Sequence, residues 1–429
     1  MLTTYRYGQL DAHLMQQLVS RNTDPDQGIR QSVEQIIAHV REAGDEALRT
    51  YASRFDGVEL DSLVLHADAI ADLAATIGRT QQRALEIAFA NIHRFHSIQL
   101  KKERTVETMP GVTCWREPRP IEKVGLYIPG GSAVLPSTLL MLGIPARIAG
   151  CKEIVVCSPP QAGGGINGYL AYCLQLLKID RVYLTGGAQA VAAMAYGTAT
   201  VPKVDKIFGP GNQYVTMAKS IVQSTAGVSI DMPAGPSEVL VIADGNSNPA
   251  YVAADLLAQA EHGRDSQAIL VSTDPTLVNQ VQDALQTQLK ELPRAEIAQK
   301  ALENSYAVIC HDLDEAMAFS NQYAPEHLII QTDDWKPLIR KITNAGSVFL
   351  GHLTPESAGD YASGTNHTLP TSGYARSYSG VSVDSFVKKI TFQHINTDGL
   401  AQLGPTVEIL AELEGLQGHK NAVSVRLKK

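Results

Sequence analysis

The chain has 429 residues, 44% of them hydrophobic and 19% charged, enough to bury sizeable cores in two or three domains and inconsistent with a disordered chain. A formal net charge of −8 gives no field that would draw nucleic acid or an anionic membrane, so neither is an expected partner. No apolar run reaches the roughly 18 residues of a membrane helix, and the opening MLTTYRYGQLDAHLMQQL lacks the basic start and apolar core of a secretory signal, so a cytoplasmic location is expected.

Residues 1–110 read as helices, with Ile29, Val33, Ile36, Ile37 and Val40 at helical spacing and Leu85, Phe89, Ile92 and Phe95 repeating the pattern. They suggest packing rather than chemistry. From Val124 the texture changes to short apolar runs, each followed by a turn and a helical stretch: VGLYI before PGGSA, IVVC before SPP, RVYL before TGGAQA, KIF before GPGN. That alternation predicts a parallel α/β sheet, whose ligands bind beyond the carboxyl ends of the strands, where helix N-termini offer free N–H groups. Gly130, Gly131, Gly186, Gly187, Gly209 and Gly211 would let backbone approach a pyrophosphate. None of these turns is a GxGxxG, and tight βα turns also use glycine with no ligand present.

A second set of strands is expected at 239–243, 268–272, 307–310, 327–330 and 347–350. Between the first two lies NPAYVAADLLAQAEHG. Asn248 suits an N-cap, Pro249 the first helical position and Gly263 the residue past the end, so the helix should close at His262. Val252, Leu256, Leu257 and Ala260 form its buried stripe. Gln259 and His262, three apart, share a face of the last turn at the negative end of the helix dipole, where a cation is favoured. Alternatively, a hydrogen-bonded Gln and a surface His simply close the helix.

The segment PESAGDYASGTNH, residues 355–367, is too rich in glycine and polar residues for core and reads as a site loop carrying Asp360 and His367. APEH sets Glu326 beside His327 directly before a strand; the two could divide acid and base work, or be a solvated Glu and a capping His. The tail shows a helix through Val407, Leu410, Leu413 and Glu414, a break at Gly418, then His419 and a strand-like AVSVRL. It either folds back on its own chain or crosses to a partner subunit. Five cysteines (Cys114, Cys151, Cys157, Cys173, Cys310), odd in number and without a CxxC pair, suggest neither a disulfide framework nor a thiolate metal site.

VGLYIPGGSA, GGAQA, KVDKIFGPGN, DMPAGPSEVLVIAD, LLAQAEHGRDSQ, NQYAPEHLIIQT, GSVFLG, PESAGDYASGTNHTLPT and HKNAV, in this order from Val124 onward, resemble the histidinol dehydrogenases, which oxidise L-histidinol to L-histidine with two NAD. The first hundred residues resemble them only loosely and carry no assigned role. The resemblance implies an α/β fold of two Rossmann-like parallel-sheet domains with an N-terminal helical region and a C-terminal tail exchanged in a homodimer. The expected limits are 1–110 (helical), 120–236 (NAD side), 237–380 (metal and catalytic side) and 381–429 (tail).

It further implies zinc ligands Gln259, His262, Asp360 and His419, NAD contacts at Tyr127, Gln189 and Asn212, and further substrate contacts at Ser237, His327, His367 and Glu414. Two imidazoles, a carboxylate and an amide oxygen, with no thiolate, suit zinc that is not sealed into a structural site. His327 would be the base of both oxidations and Glu326 would activate the water that hydrates the aldehyde. Three rivals remain: a covalent thiohemiacetal on Cys151 or Cys157, a zinc hydrolase using Glu326 without NAD, and a binding protein without activity.

Overall fold

The computed structural model describes residues 2–21, 27–130, 135–233 and 235–428; Gly131, one of the expected turn glycines, lies outside them. Two six-stranded sheets form the frame. In the first, the order is Val64–His66, Arg181–Leu184, Glu153–Ser158, Lys123–Tyr127, Lys206–Phe208, Ser229–Ile230, parallel except for the antiparallel Val64–His66 edge. In the second, Thr3–Arg6, Tyr306–Ile309, Gln267–Ser272, Glu238–Ala243, His327–Gln331 and Ser347–Leu350 are all parallel. Helices cover both faces of such sheets, so their central strands are continuous apolar runs; Val239–Ala243 is buried at every position. A three-stranded antiparallel ribbon, Val387–Ile395 with Val112–Pro120 and Val106–Met109, ties the C-terminal part back to the first sheet.

The N-terminal region is not all helix. Thr3–Arg6 is the edge strand beside Tyr306–Ile309, and Val64–His66 is the opposite sheet's edge. The Gln27–Ala43 helix buries the five expected positions in the core of the first sheet, whereas Leu18 of the Ala12–Val19 helix packs in the core of the second. The first hundred residues therefore brace both sheets. In Arg79–Ser97, Ile92 is fully buried, while Phe95 at the helix end is 44% exposed.

Two other expectations are corrected. PESAGD is not loop: Glu356–Tyr361 is a helical turn, which places Glu356 and Asp360 four apart on one face. AVSVRL is not a strand: Gln417–Leu427 is a helix packed on Thr397–Leu413. Val423 and Leu427, four apart, sit against Gly404, where a Cβ would meet both. A neighbouring helix, not a sheet edge, covers that stripe, so the helical period prevails over the Val-Ser-Val alternation. The break between the helices falls at Gly415 (φ 70°), and Gly418 lies within the second helix.

Candidate active site

The amino edge of the second sheet gathers the buried side chains of Glu238, Glu326, His327, Glu356 and Asp360. Glu238 and His327 begin adjacent strands, with Val239 opposite His327, and the Pro249–Ala260 helix returns its C-terminal end to the same edge. Asn248 Oδ1 caps that helix by accepting from Ala250 N–H, and the apolar stripe is buried as expected. The helix ends at Ala260, so Gln259 lies in its last turn and His262 just beyond. Gln259 is fully buried, one atom of its amide 2.5 Å from Glu356 Oε1 and the other 3.3 Å from Glu238 N–H; the nitrogen suits the place beside Glu356 without a cation there, and the oxygen suits it with one.

His327 lies among three carboxylates. Its Nδ1 is 3.1 Å from the Glu238 carbonyl oxygen and 3.7 Å from both Glu326 Oε2 and Glu356 Oε1; its Nε2 is 3.4 Å from Asp360 Oδ1. A carbonyl only accepts, so in the neutral ring Nδ1 carries the hydrogen and Nε2 offers a lone pair. Burial works against an imidazolium, but Glu356, Glu326 and Asp360 outweigh it and hold the His327 pKa well above the ordinary value. Burial pushes the Glu326 carboxyl up to about 8, and its Oε2 accepts from Glu238 N–H at 2.9 Å.

His262, Glu356 and Asp360 bring ligand atoms within 4.8 Å of one another. Among the described residues, Glu356 Oε2 and Asp360 Oδ1 are buried without a hydrogen-bond partner, Asp360 Oδ1 having His327 Nε2 3.4 Å away. Orphaned carboxylate oxygens beside an imidazole at a helix C-terminus fit a divalent cation. Glu356 was not anticipated; its i,i+4 spacing to Asp360 becomes a signal only once PESAGD is seen as helical. Asp255, four before Gln259, was also missed. It accepts from Gln331 Nε2 at 2.6 Å, and burial pushes its carboxyl up to about 6.

His367 Nδ1 donates to the Asp360 carbonyl (2.8 Å), so its Nε2 accepts from the Thr138 hydroxyl (3.2 Å). Thr138 belongs to the Pro136–Ala149 helix of the first sheet, and Asn366 Nδ2 donates to Met141 O of the same helix at 2.6 Å. These contacts set the carboxyl edge of the first sheet against the amino edge of the second. Ser237 is half-buried, immediately before Glu238, and its carbonyl accepts from Gln267 N–H.

Tyr127, Gln189 and Asn212 all sit at that carboxyl edge. Tyr127 ends a strand and its hydroxyl accepts from Gly187 N–H at 3.2 Å; Gln189 is buried in the first turn of Gly187–Tyr196. Asn212 is the N-cap of Gln213–Thr225, accepting from Tyr214 and Val215 N–H. Gly209 (φ 130°) lies so close to the Tyr127 carbonyl that any Cβ would strike it. Beyond the strand ends opens a cavity of about 480 Å³ lined by Phe55, Asp56, Gly130, Pro159 and Asn167. Asp56 was not anticipated from sequence; burial pushes its carboxyl up to about 6, and its Oδ2 has no hydrogen-bond partner among the described residues.

Glu414 and His419 are not brought to this group by their own chain. Glu414 is the C-cap of Thr397–Leu413 and His419 lies in the next helix; both are exposed, and among the described residues neither hydrogen-bonds or ion-pairs with Gln259, His262 or Asp360. The covalent-cysteine reading loses its basis, because burial pushes the Cys151 thiol up to about 11 and the Cys157 thiol further still. No helix among the described residues is long and apolar enough to cross a membrane.

One edge, with a cavity and helix N-termini of the kind that receive a dinucleotide, faces another where a candidate cation site adjoins the buried Glu326 and His327, an arrangement that fits an oxidoreductase with a metal centre. The sequence profile of histidinol dehydrogenase matches residues 19–427, which extends the likeness through most of the N-terminal region. Histidinol dehydrogenase of Bacteroides thetaiotaomicron is 53% identical over 411 residues, 96% of either chain. That of Vibrio cholerae is 54% identical over 402 residues (94% of this chain, 92% of the relative), and the chloroplastic enzyme of Arabidopsis thaliana is 52% identical over 430 (100% and 92%). The crystal structure of histidinol dehydrogenase from Elizabethkingia anophelis superposes with a TM-score of 0.96 at 50% identity, covering 100% of this chain and 98% of that one.

The chain belongs to the histidinol dehydrogenase family. It is an NAD-dependent, zinc-binding oxidoreductase that converts L-histidinol to L-histidine, the last step of histidine biosynthesis.

Proposed function

We propose that the two oxidations run between the facing edges, with residues 237–380 supplying metal and base and residues 120–236 holding NAD. The observation that carries this is His327, buried among Glu326, Glu356 and Asp360 with its Nδ1 on the Glu238 carbonyl and its Nε2 turned toward Asp360 on the metal side. Gln259, His262 and Asp360 hold the zinc, with Glu356 as an additional carboxylate at the same place. Zinc would supply positive charge that fixes the nitrogens of the substrate. A cation also draws on the carboxylates that otherwise keep His327 protonated, favouring the neutral imidazole needed for a base.

His327 Nε2 then takes the hydroxyl proton of histidinol as hydride passes from the same carbon to NAD. Glu326, with a pKa near the working range, takes a proton from the water that adds to the aldehyde. As that water adds, His327 returns its proton to the aldehyde oxygen, which restores the Nε2 lone pair; Nε2 next takes a hydroxyl proton of the hydrate as the second hydride passes to a second NAD. Ser237, His367 and the partner's tail line the substrate. Tyr127, Gln189 and Asn212 contact NAD, with its adenosine half in the cavity beside Asp56, where a carboxylate suits ribose hydroxyls and disfavours a 2′-phosphate.

The assembly is a cytoplasmic homodimer in which Glu414 and His419 complete the neighbouring site. Their exposure supports this, as do Ile409, Leu413 and Val425, which stand 59%, 77% and 63% exposed on the tail helices. The metal assignment is tested by measuring bound zinc after dialysis. His262→Asn should weaken zinc affinity about tenfold or more while Tyr127→Phe leaves it unchanged. Unaltered zinc affinity in His262→Asn would remove His262 from the site.

A further inference from the structure

The backbone of Glu238 touches both reacting side chains. Its N–H donates to Glu326 Oε2 (2.9 Å), and its carbonyl accepts from His327 Nδ1 (3.1 Å), fixing the tautomer that leaves Nε2 as the base. Whatever holds Glu238 therefore sets the position of both groups.

The Glu238 side chain, itself 1% exposed, is held by a residue from the other end of the sequence. Arg21 donates from Nε to Oε1 (2.8 Å) and from Nη2 to Oε2 (2.7 Å), and Ser372 N–H adds a third bond to Oε1 (2.8 Å). Arg21 is fixed in turn: Nη1 donates to the Val19 and Tyr323 carbonyls (2.7 and 2.8 Å), and the guanidinium lies 3.4 Å over the Tyr323 ring. The Tyr323 hydroxyl donates to Gln267 Oε1 (2.6 Å) on the neighbouring strand. A buried ion pair adds little net stability over an apolar pair, but a two-pronged guanidinium–carboxylate contact is strongly directional.

We propose that Arg21 is a positioning residue for the Glu326–His327 pair, acting through Glu238. This rests on the reading that His327 and Glu326 carry the proton transfers. Arg21→Lys keeps the charge and loses the fork, so Glu238 gains freedom and the proton-transfer geometry loosens; errors well under an ångström at such a site cost about tenfold in rate.

The test is a double-mutant cycle on kcat with the zinc-loaded enzyme, well below the melting temperature. Arg21→Lys should lower kcat about tenfold, with KM for histidinol and for NAD nearly unchanged, and should have less than about a twofold further effect in a His327→Asn background. Glu238→Gln removes one partner of the fork and should give the same pattern, which covers the case where Arg21→Lys fails to fold. Wild-type kcat in either folded variant, or an equal loss in both backgrounds, would reduce Arg21 to a structural ion pair. If His327→Asn alone leaves kcat intact, the assignment of the base fails instead, so the two failures are told apart.

Discussion

His327→Asn will slow oxidation of both the alcohol and the aldehyde by about a hundredfold or more, because each step hands a proton to the same Nε2. Asn can keep an N–H toward the Glu238 carbonyl but offers no basic nitrogen at the Nε2 position. Glu326→Gln behaves differently. The amide oxygen still accepts from Glu238 N–H, so the geometry survives and the first hydride transfer should remain near the wild-type rate. Hydration then lacks its base, and turnover stalls after one reduced nicotinamide. Rapid-mixing single turnovers separate the steps; equal slowing of the first transfer by both substitutions would show that Glu326 and His327 act as one unit.

The tail prediction is all-or-none. Mixing inactive His419→Asn with inactive His262→Asn protein, under conditions that exchange subunits, should restore about a quarter of the wild-type activity, because half the dimers are mixed and each mixed dimer has one intact site. The other site of each mixed dimer collects both defects. If Glu414 and His419 served their own chain, every site would keep one defect and the mixture would stay inactive. Restoring a ligand across the interface also links metal binding to assembly, since whatever binds only the dimer favours it. No recovery despite demonstrated exchange would rule out the crossed tail and leave His262 and Asp360 where they are.

The parts of this fold legible in sequence are those set by local chemistry. Strands such as Glu238–Ala243, Gln267–Ser272 and His327–Gln331 are buried on both faces and announce themselves as apolar runs. The cap-and-proline start at Asn248–Pro249 marks its helix equally well. What sequence hid depends on distant partners. Thr3–Arg6 holds strand-favouring Thr and Tyr, but four residues with no apolar run do not announce a strand until Tyr306–Ile309 lies beside them. The last helix owes its form to the groove at Gly404. Arg21 and Glu238 are 217 residues apart, with no pattern to join them. The site residues carried by the family resemblance could be placed but not assembled: spacing alone does not join Gln259 and His262 to Asp360, and Glu356 stayed hidden while its helix was read as loop.

The most direct measurement follows absorbance of reduced nicotinamide and formation of L-histidine after a limiting amount of L-histidinol is added to zinc-loaded enzyme with excess NAD. The account predicts two reduced cofactors and one histidine per histidinol, abolished by chelation and restored by zinc. One reduced cofactor per histidinol with aldehyde accumulating, or the full yield at the full rate from chelated enzyme, would contradict it.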